Sequence, residues 1–203
     1  MSDDKLDITS KIVSWATDNI KFISIGVVIG IAIPMLWSYS QHLEEKRNLR
    51  ASELYYNLVD ISNSEDDTRE AKNKIMSDHK GSIYEVLTKF ILAKKEFENK
   101  NYENSMKHLE EIINIDANDT YNSLARIKIS LIYIENKNYD MALKTLDMVK
   151  MQSAFKQILS EVKGDIFKYK GDKEKSLKFY NEAIDASAIN NENLLMKKNS
   201  VKN

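Results

Sequence analysis

Three histidines, His42, His79 and His108, are the side chains best suited to proton transfer or metal binding near neutral pH. None has a partner at i+3 or i+4 that would build a metal site, and all three read as solvated. Cysteine is absent, which removes thiolate nucleophiles, disulfides and Cys-based metal centres. The acidic runs Glu65-Asp-Asp67 and Glu110-Glu111 read as ordinary solvated surface. No Gly-rich phosphate loop, HExxH helix or nucleophile elbow occurs. Tyr55-Tyr56, Tyr133, Phe167 and Tyr180 read as packing between helices rather than stacking platforms. The net charge of −1 gives no electrostatic case for nucleic acid. The chain therefore reads as no enzyme, with no metal, no cofactor and no small-molecule substrate, and its chemistry as recognition.

Recognition needs a surface, and the sequence indicates how one is built. Gly (5) and Pro (1) are scarce in 203 residues, which favours an all-α chain. Ala51, Leu54, Tyr55, Leu58 and Ile61 keep a helical rhythm that Asn63–Asp67 breaks; Ala71, Ile75 and Met76 mark a shorter helix, and Ser77–Gly81 a turn. Ser82 and Glu85 fit a capping box. Six apolar faces follow, begun by Ile83, Tyr102, Leu124, Tyr139, Phe155 and Leu177, and predict six helices of about four turns each.

The links between these helices repeat. Lys100-Asn-Tyr-Glu-Asn-Ser-Met106 aligns with Lys137-Asn-Tyr-Asp-Met-Ala-Leu143, and both align with Gly171-Asp-Lys-Glu-Lys-Ser-Leu177. The offsets are 37 and 34 residues, near the 34 of a tetratricopeptide helix–turn–helix unit. Where the two helices of a unit cross, each must carry a small residue. Seven residues before each link stand Ala93, Ser130 and Gly164; five after stand Ser105, Ala142 and Ser176. The repeats are degenerate. Lys89, Arg126 and Ser160 replace an expected aromatic, Ile112 and Val149 replace an expected alanine, and only Ala183 conforms. First helices of stacked pairs line a groove, where Lys94, Phe97, Ile134, Glu135, Glu161, Lys168 and Tyr169 are expected.

Ahead of the repeats, Phe22–Tyr39 passes eighteen residues without a charge. As a helix it spans about 27 Å, close to a bilayer core of about 30 Å. Trp37 and Tyr39 suit one interface, and Lys21 closes the other end. A core helix is the alternative, but nothing else in the chain is apolar enough to enclose it. A cleaved leader would want a short basic start, whereas Met1–Lys21 carries four aspartates. Gly26 and Gly30 form a GxxxG that invites another membrane helix, and Pro34 invites a kink. The anchor is expected to run through His42–Arg50 into the first helix of the domain. Before it, Ile8, Ile12, Trp15, Ala16 and Ile20 recur at helical spacing, as a short interfacial helix or a partly ordered tail.

The expected order is a head (1–21), an anchor (22–40), a connecting helix with a degenerate first helix pair (41–78), three tetratricopeptide-like units (79–188) and a tail or short helix (189–203). Trp15–Lys21 enters the anchor and Gly26–Gly30 lies within it. The terminal unit runs from Leu159-Ser-Glu-Val-Lys-Gly164 to Lys170-Gly-Asp-Lys173, and Asn193-Leu-Leu-Met-Lys closes the chain. In these stretches, and in their order, the chain resembles the YfgM-like family, the ancillary subunit of the bacterial Sec translocon. The resemblance implies a single-pass inner-membrane protein with its head in the cytoplasm and its repeats in the periplasm. It implies association with the translocon and with a membrane-anchored periplasmic chaperone of the prolyl-isomerase type. The charges do not choose an orientation, since three basic residues precede the anchor and three follow closely. A cell-envelope assembly or division scaffold with the same fold is the alternative function.

Overall fold

A computed structural model describes residues 3–60, 64–115, 118–188 and 191–202. Ile61 and Asn63, expected at the end of the first long helix, lie outside the described residues, as does the side chain of Ile8. The described residues form ten helices and no strand, as the pattern of apolar faces requires.

The N-terminal unit extends to Glu53. It holds α1 (Asp3–Asp18) and most of α2 (Ile20–Val59). Only Asn19 separates them, and the backbone ladder continues across it, from the Asn19 N–H to the Trp15 carbonyl (3.1 Å) and from the Ile23 N–H to the Asn19 carbonyl (3.0 Å). Helix α2 runs through Pro34 and continues past Arg50, so the apolar run expected as an anchor and the connecting segment are one element. No residue of its most apolar eighteen-residue window is buried. Phe22, Met35 and Trp37 are each about two-thirds exposed or more. That excludes the core-helix alternative. α2 is the one helix among the described residues long and apolar enough to cross a membrane.

The second unit starts at Leu54. Helix α3 (Glu65–Asp78) is capped by Ser64, whose Oγ accepts the Asp67 N–H, and three acids in its first turn suit the helix dipole. It runs through Ser77 and Asp78, so the expected turn starts two residues late, at His79. Three antiparallel hairpins follow: α4 (Ile83–Glu98) with α5 (Tyr102–Asn114), α6 (Asp119–Glu135) with α7 (Tyr139–Asp147), and α8 (Lys156–Tyr169) with α9 (Lys173–Asp185). Helix α10 (Glu192–Lys202) packs on α9. Helix α7 has nine residues rather than four turns. Its end tightens through Met148 N–H to Thr145 O and Val149 N–H to Leu146 O, bonds three residues apart that stop an α-helix. Val149 is buried all the same, from just beyond the helix.

The aligned links share one backbone conformation. Lys100, Lys137 and Gly171 take left-handed φ of 61°, 58° and 78°. The residue after each returns its N–H to a carbonyl five back: Asn101 to Glu96, Asn138 to Tyr133 and Asp172 to Phe167, at 2.8–2.9 Å. This is the helix stop that satisfies orphan carbonyls, and it normally takes glycine. At α4 the cap differs from a simple capping box. Ser82 Oγ accepts the Glu85 N–H, but Glu85 Oε2 accepts from Gly81 rather than Ser82 (2.7 Å), because the Ser82 N–H is already given to the His79 carbonyl.

The core is divided by junction. Val86, Ala93, Leu109, Ile112, Ala125 and Ile132 belong to a cluster joining the first two hairpins. Ile127, Leu146, Leu159, Val162 and Ile166 belong to another joining the second and third. Lys89, where the repeat pattern expects an aromatic, is buried. Its Nζ donates to Glu111 (2.6 Å) and lies 3.5 Å from Glu85, itself almost enclosed. Removing one member of such a group leaves a buried charge unpaired. Lys89→Ala should cost about 3 kcal/mol in urea denaturation of the full chain in micelles, and Lys89→Met with Glu85→Gln should recover at least half of it. The hydrogen bond from Lys89 holds the Glu111 carboxyl below its usual 4.5, against the opposing effect of burial. A carboxylate so depressed stabilises the fold above about pH 4.5, and that stabilisation is lost as pH falls through the folded-state value. Glu111→Gln should be less stable than the parent at pH 7, with the gap closing below pH 4.5; a gap that widens in acid would refute the pairing.

Candidate protein-interaction groove

The helix crossings set the geometry of the groove. Ser105 Oγ donates to the Ala93 carbonyl at 2.7 Å, and Ser176 Oγ donates to the Gly164 carbonyl at 2.9 Å. In the middle hairpin the small pair is reversed: Ser130 on the first helix donates back to Ile127 (2.6 Å) and Ala142 faces it without a hydroxyl. All six residues are buried. At Gly164 the approach is closest, since a Cβ there would meet the Tyr180 ring at 2.7 Å. Tyr180 is fully buried and its hydroxyl donates to Asp165 (2.6 Å). Burial, then that bond, pushes its ionisation well above the ordinary tyrosine range.

The expected groove residues separate into distinct environments. Lys94 and Phe97 line a cavity of about 140 Å³ between α4, α5 and α6, with Leu109, Lys128, Leu131 and Ile132. Ile134 packs against the second core cluster, and Glu135 is exposed. Glu161 accepts from Lys197 of α10 (2.7 Å), and Lys168 donates to Ser200 of α10 (2.8 Å). Lys197 also donates to Asp165 (2.7 Å). Burial works against the Lys197 ammonium, but the bonds to Asp165 and Glu161 outweigh it and hold its pKa raised. Tyr169, 59% exposed, stacks on Tyr139 at 6.0 Å and 12°. Lys128, Leu131 and Asp165 were not expected in the groove. The repeat offsets carry Lys94 to Leu131 and then to Asp165, so extending the alignment beyond the links reaches two of them.

Of the histidines, only His42 is solvated as expected. His79 is buried in the turn before α4 and His108 is largely covered. Glu45 and Glu111 stand three residues beyond His42 and His108, at 3.9 and 3.8 Å, one carboxylate in each case. Among the described residues no three His, Cys, Asp or Glu side chains converge on a metal position. Tyr55 packs on Tyr84 and Phe167 on Phe179, whereas Tyr56 is 68% exposed and packs on neither. On α2, a Cβ added at Gly26 or Gly30 would meet nothing within 4 Å.

The sequence pattern of a family described as a tetratricopeptide repeat-like domain matches residues 14–203, the apolar run Phe22–Tyr39 included. A curated protein of Aggregatibacter actinomycetemcomitans, named "Ancillary SecYEG translocon subunit", is 25% identical over 84% of this chain and 83% of its own length. No solved structure matches the chain.

The Gly164 crossing gives a direct test. Gly164→Ala forces a methyl into an immobile ring and should cost about 2 kcal/mol, lowering the melting temperature by roughly 6 °C. Gly171→Ala meets no atom and bears only the left-handed backbone penalty of about 1 kcal/mol. Equal losses in thermal circular dichroism would show that the crossing is not tight.

Proposed function

Because the chain belongs to the tetratricopeptide repeat-like domain family and has an ancillary translocon subunit among its relatives, we propose that it is a non-catalytic, single-pass inner-membrane protein that recruits other proteins to the Sec translocon. The head (1–21) lies in the cytoplasm, the anchor (22–40) crosses the membrane, and the repeats work in the periplasm. There the groove receives a membrane-anchored chaperone of the prolyl-isomerase type, and newly exported proteins pass from the translocon to it. The pair at 41–78 and the three units at 79–188 supply the recognition surface, with Lys94, Phe97, Glu135 and Tyr169 as its open positions. Gly26 and Gly30 face a membrane helix of the translocon.

The observation that supports this most is the exposed, charge-free run Phe22–Tyr39 in one chain with stacked hairpins, both within the stretch the family pattern matches. Tethering also explains why no deep pocket is needed. Confinement in a membrane raises the effective concentration of a partner by orders of magnitude, so shallow contacts suffice. A division scaffold would leave the likeness to a translocon subunit, over most of both chains, without a cause.

Protease added to spheroplasts should digest the repeat domain and spare the head. Photo-crosslinkers placed at residue 30 and at residue 94 should capture a translocon subunit and a periplasmic chaperone respectively. A protected repeat domain would reverse the orientation. Capture only of envelope proteins with no part in export would overturn the assignment.

A further inference from the structure

The first-helix face changes sign along the stack. Its repeat-equivalent positions are Lys94, Leu131 and Asp165. In the third hairpin the face is already occupied. Lys197 of α10 is bonded to both Asp165 and Glu161, while Leu194 and Val201 of the same helix are buried to 0% and 4% exposure. The chain thus sets a basic side chain of α10 against the acidic groups of that face, while the helix itself packs on α9. Between the first two hairpins the same face is open. Its floor is Phe97, Leu109 and Ile132, its edge Leu131 is 38% exposed, and Lys94 and Lys128 stand at its rim. Lys94 has one exposed neighbour of opposite sign, Glu98 at 3.7 Å, a pairing that contributes little in water. Lys128 makes no ion pair among the described residues.

From this we infer that the α4–α6 cleft binds an acidic polypeptide segment, seating one bulky apolar side chain on Leu109 and Ile132 while flanking carboxylates meet Lys94 and Lys128. A volume of about 140 Å³ matches the roughly 150 Å³ known to hold one benzene ring, so the cleft takes a single phenylalanine or leucine and not a run of them. The charges at the rim set orientation and encounter rate, and the buried ring sets affinity. The segment belongs to the partner that the proposed function places in the groove, and the inference rests on that part of the reading.

The test uses the full chain in detergent micelles and short fluorescent peptides. One carries a central phenylalanine between glutamates, a second has alanine at the centre, and a third has lysines in place of the glutamates. The first peptide should bind. The alanine peptide should bind at least about tenfold more weakly, and the lysine peptide should not bind measurably. Lys94→Glu with Lys128→Glu, both at exposed rims, should weaken the first peptide about tenfold or more and admit the third. Leu131→Trp, which fills the mouth, should abolish binding with the helical content unchanged. Equal binding of the phenylalanine and alanine peptides, or unchanged binding by the charge-reversed or filled variants, would overturn the inference. Co-purification of the parent chain with translocon components is scored separately. If it persists while the peptides fail, the cleft assignment falls and the translocon role stands; if it is lost while they bind, the reverse holds.

Discussion

Each hairpin depends on two helix backbones coming closer than ordinary side chains permit. At Ala93 with Ser105, and at Gly164 with Ser176, the approach brings a serine hydroxyl onto a carbonyl of the facing helix. That bond does two things at once. It satisfies a buried hydroxyl, which would otherwise cost roughly 1–3 kcal/mol, and it fixes the register of one helix on the other. The left-handed residue at each link then follows, because two helices crossing at a fixed height leave only a few residues to reverse the chain. Lysine occupies that position twice, in a conformation glycine adopts more readily. The requirement for closure outweighs the local preference of the residue.

The polar interior around Lys89 shows how far the repeat tolerates departure from an apolar pattern. Where an aromatic ring would fill space by burial alone, an ammonium group bridges two carboxylates from two helices. The hairpin is kept, but its stability becomes electrostatic and is lost in acid as Glu111 takes up a proton. Something similar happens at the other end, where Lys197 joins α10 to α8 through Asp165 and Glu161. Both clusters lie at the margins of the three-hairpin stack, in its first hairpin and in its terminal cap, while the buried clusters between hairpins are apolar and ion pairs such as Lys163–Asp147 and Lys170–Asp140 lie at their edge.

Much of this was legible before any coordinates. The link alignment found the hairpins, and the small residues at fixed offsets found the crossings, because both are consequences of backbone geometry that sequence must obey. The charge-free run at Phe22–Tyr39 needed only a count. Side-chain environments were less legible. Helical spacing says that His79 lies near a turn, not that neighbouring turns bury it. It says that Glu161 and Lys168 face the groove side, not that α10, starting more than twenty residues after Lys168, comes back to bond them. The end of α7 was missed because its apolar rhythm continues to Val149, and rhythm is blind to the tighter bonds that stop the helix there.

The division of the core into one cluster per junction has a bearing on how the molecule comes apart. In a globular domain with a single core, loosening any part loosens the whole. Here each hairpin leans chiefly on its immediate neighbours, so the structure behaves as a row of coupled dominoes. An end can open and close while the far hairpins stay shut, with amide exchange graded along the chain instead of rising together. A partner that straddles two hairpins would therefore act as a splint, and part of its binding energy would reappear as added cohesion of the stack beneath it.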